Sequence, residues 1–204
     1  MIITATTNRR LCENAKLYKL YNFPLYNSMN YIFLSTGFEE IEALATVDIM
    51  RRAQLQVCTV SMEHARQVVG SHHIAVEADA LFEEVDFADA EMLILPGGSI
   101  RLMEFPELGE LLKRHHAAKH HLAAICAAPS VLGVLGILDG EKATCYPGFE
   151  KYIGESYVGG RIVVSHHIIT ANGPGTAVDF ALQIVETLRG KEVTDAVRKA
   201  MLIA

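Results

Sequence analysis

The chain has 204 residues, half of them hydrophobic and 21% charged, with a formal net charge of −6. That balance excludes a disordered polymer, and the length suits one domain with a sizeable core. Charge is unevenly spread: Arg9, Arg10, Lys16 and Lys19 face only Glu13 in residues 1–28, leaving 14 bases against 23 acids and a net −9 in residues 29–204. A body that acidic repels phosphate backbones, which excludes nucleic acid as a partner.

Residues 1–28 have neither a continuous apolar run nor a small-residue cleavage site, so they do not read as a signal peptide. They are expected to form an N-terminal extension outside the fold, with residues 29–204 as a single domain. From Met29 the pattern alternates strand and helix. Residues 30–35 read as a buried strand. Residues 40–53 read as a helix, with Ile41, Leu44, Ala45, Val47 and Ile49 on its buried side and Arg51 and Arg52 at its C-terminal end. Residues 55–61 form a strand with Cys58 in the core, and residues 68–69 and 74–76 are strand-like. A strand over 91–95 stops at Pro96-Gly97-Gly98, and a helix over 106–119 leads to a strand over 122–125 and a helix over 130–138. Residues 142–145, 161–165 and 168–171 read as strands. Thr176 and Asp179 have capping-box spacing at the start of a helix over 176–189, and Gly190 separates it from a last helix over 191–203. Alternation of this kind predicts a largely parallel sheet covered on both faces. The apolar run from Leu122 to Leu138 is broken by Pro129, Ser130, Gly133 and Gly136, so it reads as a buried strand and helix and not a membrane span.

Ligand sites in open parallel sheets lie outside the carboxyl ends of the strands. Four segments fall there: residues 37–42, 96–98, 124–128 and 173–176. In the third, Ala124 and Ala128 flank Cys126 with the small-residue spacing of a nucleophile elbow, with cysteine as the nucleophile. Pro129 suits the first helical turn, and a sulfur at a helix N-terminus gains a positive dipole end, so Cys126 is expected to have a depressed pKa. A buried core cysteine is the alternative. Glu42 favours the first reading. It opens the helix that follows the first strand, which is expected to lie next to the strand of Cys126; beside a thiolate in a dry cleft it would hold its proton and donate to the sulfur. Gly97 and Gly98 offer unobstructed backbone N–H groups, as an oxyanion requires.

The histidines come mainly in adjacent pairs, whose side chains point apart and do not chelate. His116 and His120 have i,i+4 spacing on a polar helix end, and no metal is assigned to them. His72, in a strand-end loop, is a candidate for lining the site. The four cysteines include no C-x-x-C pair and no secretory signal precedes them, which favours reduced thiols in the cytoplasm. Cys145 lies beside Tyr146, so if Tyr146 faces the cleft, Cys145 points into the core.

The runs GFEEIEALATVDIMRRA (37–53), LILPGG (93–98), LAAICAAP (122–129) and NGPGTAVDFALQIVE (172–186) together resemble the ThiJ/PfpI superfamily, in particular its DJ-one-like, YajL-type branch. The resemblance covers nearly all of residues 29–204 and leaves 1–28 unmatched. It implies a flavodoxin-like three-layer sandwich, usually a homodimer, with no cofactor and no metal. It places an easily oxidised nucleophile at Cys126, a protonated partner at Glu42 and oxyanion donors at Gly97, Gly98 and Ala127. The activities it implies are glutathione-independent glyoxalase or deglycase-like action on small reactive carbonyls, and chaperone action or oxidative-stress sensing. The sequence departs from that pattern at Cys145-Tyr146-Pro147, where many members place a histidine before the proline, and at His72, where a basic residue is expected. Tyr146 is a poor base at neutral pH, which argues against peptidase chemistry. A glutamine amidotransferase would need a downstream histidine–acid pair that His166-His167 does not provide.

Overall fold

The computed structural model describes residues 28–203. The expectation for the N-terminal extension falls on residues that, apart from Ser28, lie outside that range. Seven strands form one sheet: β1 (Met29–Leu34), β2 (Gln56–Ser61), β5 (Ala80–Leu81), β6 (Ala90–Leu95), β7 (His121–Ile125), β8 (Ile162–Ser165) and β9 (Ile168–Ala171). Their order is β5-β2-β1-β6-β7-β9-β8, and every pairing is parallel except β8 with β9. The strand-like residues near 68 and 75 form a separate antiparallel hairpin, β3 (Gln67–Val69) with β4 (Ala75–Glu77).

Strand alternation explains the three layers. In β1, Ile32 and Leu34 join a core with Ile94 and Ile125 on one face, while Tyr31 and Phe33 join Leu93, Leu95 and Leu122 on the other. Helices α1 (Glu40–Arg52), α5 (Ala177–Arg189) and α6 (Lys191–Ala200) cover the first face. Helices α2 (Pro106–Ala117), α3 (Pro129–Val134) and the short α4 (Glu150–Ile153) contribute to the second. This is the expected flavodoxin-like α/β sandwich. Among the described residues, no helix is long and apolar enough to cross a membrane. At the amino ends of the strands, Arg189 pairs with Glu91 at 2.6 Å, and Ser28 Oγ donates to the same carboxylate at 2.5 Å.

Four local expectations are corrected. Helix α1 buries Ala43, Thr46, Val47, Ile49 and Met50, while Ile41 is 57% exposed and Leu44 38% exposed. The Glu39 side chain caps the helix through the Glu42 N–H at 2.8 Å and sets a phase that turns Glu42 inward, so Ile41 falls on the outer face. Residues 142–145 form no strand beyond a single bridge of Ala143 with Tyr157, because the N–H groups of Lys142 and Thr144 donate to the side chains of Ser165 at 3.1 Å and Thr170 at 2.9 Å. Helix α3 ends at Val134, and Gly136 takes a left-handed φ of 73°. Thr176 does not form the capping box: its hydroxyl donates to the Gly173 carbonyl at 2.6 Å, while Asp179 pairs with Arg161 at 2.9 Å.

Candidate active site

Cys126 follows β7 directly and has φ +64°, a left-handed conformation that is strained for a residue with a side chain. The strain is held by bonds on both sides. The Cys126 N–H donates to the Ala171 carbonyl at 2.8 Å, its carbonyl accepts from the Tyr146 N–H at 2.8 Å, and the Ala128 N–H closes the turn onto Ile125 at 3.0 Å. Ala124, Ala127 and Ala128 are buried around it, so the tight turn depends on their small size. This is the elbow expected from the spacing.

Glu42 reaches the sulfur by another route than expected. The strand beside β7 is β6, and β1, which leads to Glu42, lies one strand further away. Contact is possible because residue 97 has no side chain. A Cβ there would lie 2.6 Å from the Cys126 Cβ, 2.7 Å from Glu42 Oε2 and 2.9 Å from the Ile125 carbonyl oxygen. The Gly97 N–H instead donates to Glu42 Oε2 at 2.7 Å. The flanking backbone is tied together by Glu39 N–H to the Gly97 carbonyl at 2.9 Å and Ser99 N–H to the Gly37 carbonyl at 2.8 Å. Gly98, at φ +93°, makes the bridge with Phe38 that closes this crossing.

The amides are therefore divided between two tasks. Gly97 is committed to the carboxyl of Glu42, whereas the N–H groups of Gly98 and Ala127 point at the Cys126 sulfur. Burial pushes Glu42 up to about 7, the Gly97 amide and the thiol pull it down, and Glu39 adds repulsion. Its Oε1 is buried with no well-aligned hydrogen-bond partner, so the contact with the sulfur is close but imperfectly directed. The thiol departs from expectation. Burial, then the charge and hydrogen bond of Glu42, push Cys126 up to about 12, and the Gly98 and Ala127 amides only partly oppose them. Helix α3 has six residues, too short for its dipole to outweigh that burial. The two groups titrate as a unit. With Glu42 ionised the thiol is hard to ionise; with Glu42 protonated, its charge is gone and its O–H can donate to sulfur.

The Tyr146 ring is half-exposed and lies over Gly173, where a Cβ would approach its Cδ2 to 3.1 Å. His72 is held by Glu40: its Nδ1 bonds Glu40 Oε2 at 2.7 Å and its N–H donates to Oε1 at 2.7 Å. That hydrogen bond raises the His72 pKa. Although burial disfavours its charge, Glu40 is held at about 2 by the His72 side chain and backbone, and by Ser71. Glu39, Glu40 and His72 bring donor atoms within 4.8 Å of one another, but both Glu40 oxygens are already engaged. Cys145 is buried in the core on the face opposite that of Cys126, and burial and then Glu150 push its thiol up to about 11.

Fold and site together define an α/β protein with a strained elbow cysteine paired to a buried acid across a glycine. The family model described as the DJ-1/PfpI family matches residues 30–187, and the chain belongs to that family. It is 36% identical over 173 residues to the glutathione-independent glyoxalase DJR-1.2 of Caenorhabditis elegans, covering 81% of this chain and 91% of the relative. It is 34% identical over 175 residues, 83% of this chain, to Protein DJ-1 homolog B of Arabidopsis thaliana, of whose length it spans only 40%. The solved structure of oxidized Toxoplasma gondii DJ-1 superposes with a TM-score of 0.84 at 35% identity, covering 87% of this chain and 99% of that one.

Proposed function

We propose that the protein is a cysteine-dependent, glutathione-independent glyoxalase acting on small 2-oxoaldehydes. The observation that carries this reading is the contact of Glu42 with Cys126 across Gly97, which places a proton carrier with a pKa near 7 against a nucleophile. The reactive form is thiolate with protonated Glu42. The sulfur adds to the aldehyde carbon, and the carbonyl oxygen takes the Glu42 proton to give a hemithioacetal. The Gly98 and Ala127 amides stabilise charge on that oxygen. Glu42, now ionised, removes the former aldehyde proton and returns it to the neighbouring carbon, while the hydroxyl proton passes to the neighbouring oxygen, leaving the thioester of a 2-hydroxy acid. Water then cleaves the thioester to a 2-hydroxy acid and restores Cys126. The proton that changes carbon moves through one carboxyl, so that step needs no histidine at the position of Tyr146.

Incubation with methylglyoxal without glutathione tests this. The wild type is expected to convert it to lactate, and Cys126→Ser to lose at least about a hundredfold in rate. Equal rates in both proteins would sink the proposal. The exposed Ile41 and Leu44 on α1, next to Glu42, support a homodimer, and the unbridged buried thiols of Cys126 and Cys145 suit a reducing cytoplasm.

A second reading, oxidative-stress sensing, draws on the two N–H groups aimed at the sulfur, which would also hold sulfinate oxygens. Because Cys126 and Cys145 sit in cores on opposite faces of the sheet, mild peroxide is expected to add two oxygens at Cys126. Intact mass and peptide mapping check this, and a Cys126–Cys145 disulfide would count against it.

A further inference from the structure

We propose that His116 and His167 form a binding site for a divalent transition metal at the amino ends of the strands, separate from the Cys126 cleft. His116 lies in the last turn of α2, and His167 lies in the turn between β8 and β9, just ahead of β9. Their Nδ1 and Nε2 atoms are 3.0 Å apart. Cys126 leaves the opposite end of β7, a strand whose five residues span about 15 Å.

The adjacent histidine pairs do point apart, as their spacing requires; the chelating geometry comes from members of two different pairs. The i,i+4 partner of His116 is not available on the helix. Helix α2 ends at Ala117, Lys119 turns left-handed at φ +60°, and the His120 ring stacks edge-on against His115. The chain reversal leaves His116 facing the β8–β9 turn.

Two imidazole nitrogens 3.0 Å apart, each about 2.1 Å from a metal, subtend about 90° at it. That angle belongs to square-planar and octahedral coordination, so the pair favours Cu(II) and Ni(II) over tetrahedral Zn(II), and water completes the shell. Glu141, bonded to His166 at 2.8 Å, supplies negative potential to His167. In the metal-free pair one ring donates an N–H to the other. On binding, that ring carries its proton on its other nitrogen, so no proton is lost overall. Both rings are half-buried and reachable from solvent.

The test is a calorimetric titration of the untagged full-length protein with Ni(II) in a weakly coordinating buffer. One equivalent with micromolar affinity is expected. His116→Gln and His167→Gln should each weaken it by at least about tenfold, with circular dichroism confirming that both are folded. Cys126→Ser should bind as the wild type does, because the thiol takes no part. As a check that needs no variant, Ni(II) should broaden the imidazole proton resonances of His116 and His167 before those of His72. No binding by the wild type, unchanged affinity in both glutamine variants, or loss of binding in Cys126→Ser would each overturn the assignment.

Discussion

Gly97→Ala is expected to lose at least about a hundredfold in activity and about 1–3 kcal/mol in stability. The new methyl would enter a gap bounded by the Cys126 Cβ at 2.6 Å, Glu42 Oε2 at 2.7 Å and the Ile125 carbonyl oxygen at 2.9 Å. None of these can yield cheaply. Cys126 is pinned by backbone bonds to Ala171 and Tyr146, Ile125 belongs to a central strand, and Glu42 is held by the Gly97 amide itself. The backbone at 97 is not left-handed, so the penalty is steric and not conformational. Gly175→Ala provides the control, because a Cβ there meets nothing within 4 Å, and its stability should stay within about 0.5 kcal/mol of wild type. Urea denaturation and the rate of Cys126 alkylation read the two effects separately. Wild-type stability and thiol reactivity in Gly97→Ala would mean that the glycine gap does not assemble the site.

The strands, the two-faced core and the elbow were legible because each depends on local pattern. Alternation in 30–35 and 91–95 places one core on each face, and the Ala-x-Cys-x-Ala spacing already implies a tight turn. What the pattern could not supply was relative placement. The buried side of α1 depends on the Glu39 cap, which no hydrophobic count reveals, so Ile41 and Leu44 read as core while lying outside. Residues 142–145 have strand composition, yet the N–H groups of Lys142 and Thr144 go to the side chains of Ser165 and Thr170 and not to a strand backbone. Glu42 meets Cys126 by another route than adjacent strands: β6 intervenes, and the absent side chain of Gly97 makes room for the contact. The thiol pKa was misjudged for the same reason, since a sequence shows a helix N-terminus but not the burial that outweighs it. The approach of His116 to His167 spans 51 residues and leaves no mark in spacing.

Glu42→Gln should change how stability depends on pH, and the sign is set by which state holds the proton. Burial raises Glu42 in the folded protein from an ordinary 4.5 to about 7. The folded state therefore holds this proton more tightly than the unfolded chain does, and raising the pH through that interval favours unfolding. Below 4.5 both states are protonated and there is no penalty. Above 7 both are ionised, and the wild type carries the full cost of a buried charge, about 3 kcal/mol. Glutamine keeps the shape, can accept from the Gly97 amide and never ionises. The stability of Glu42→Gln relative to wild type should thus rise between pH 4.5 and 7 by about 2–3 kcal/mol and stay level on either side. The same variant should lose the turnover of 2-oxoaldehydes, because the proton that must shuttle between oxygen and carbon has no carrier. A more stable protein that is inactive is what a group strained for function leaves behind when it is replaced. Denaturation curves at pH 4, 6 and 8 settle the first part. If wild type and variant run parallel across that range, Glu42 does not hold its proton to neutrality and cannot be the carrier.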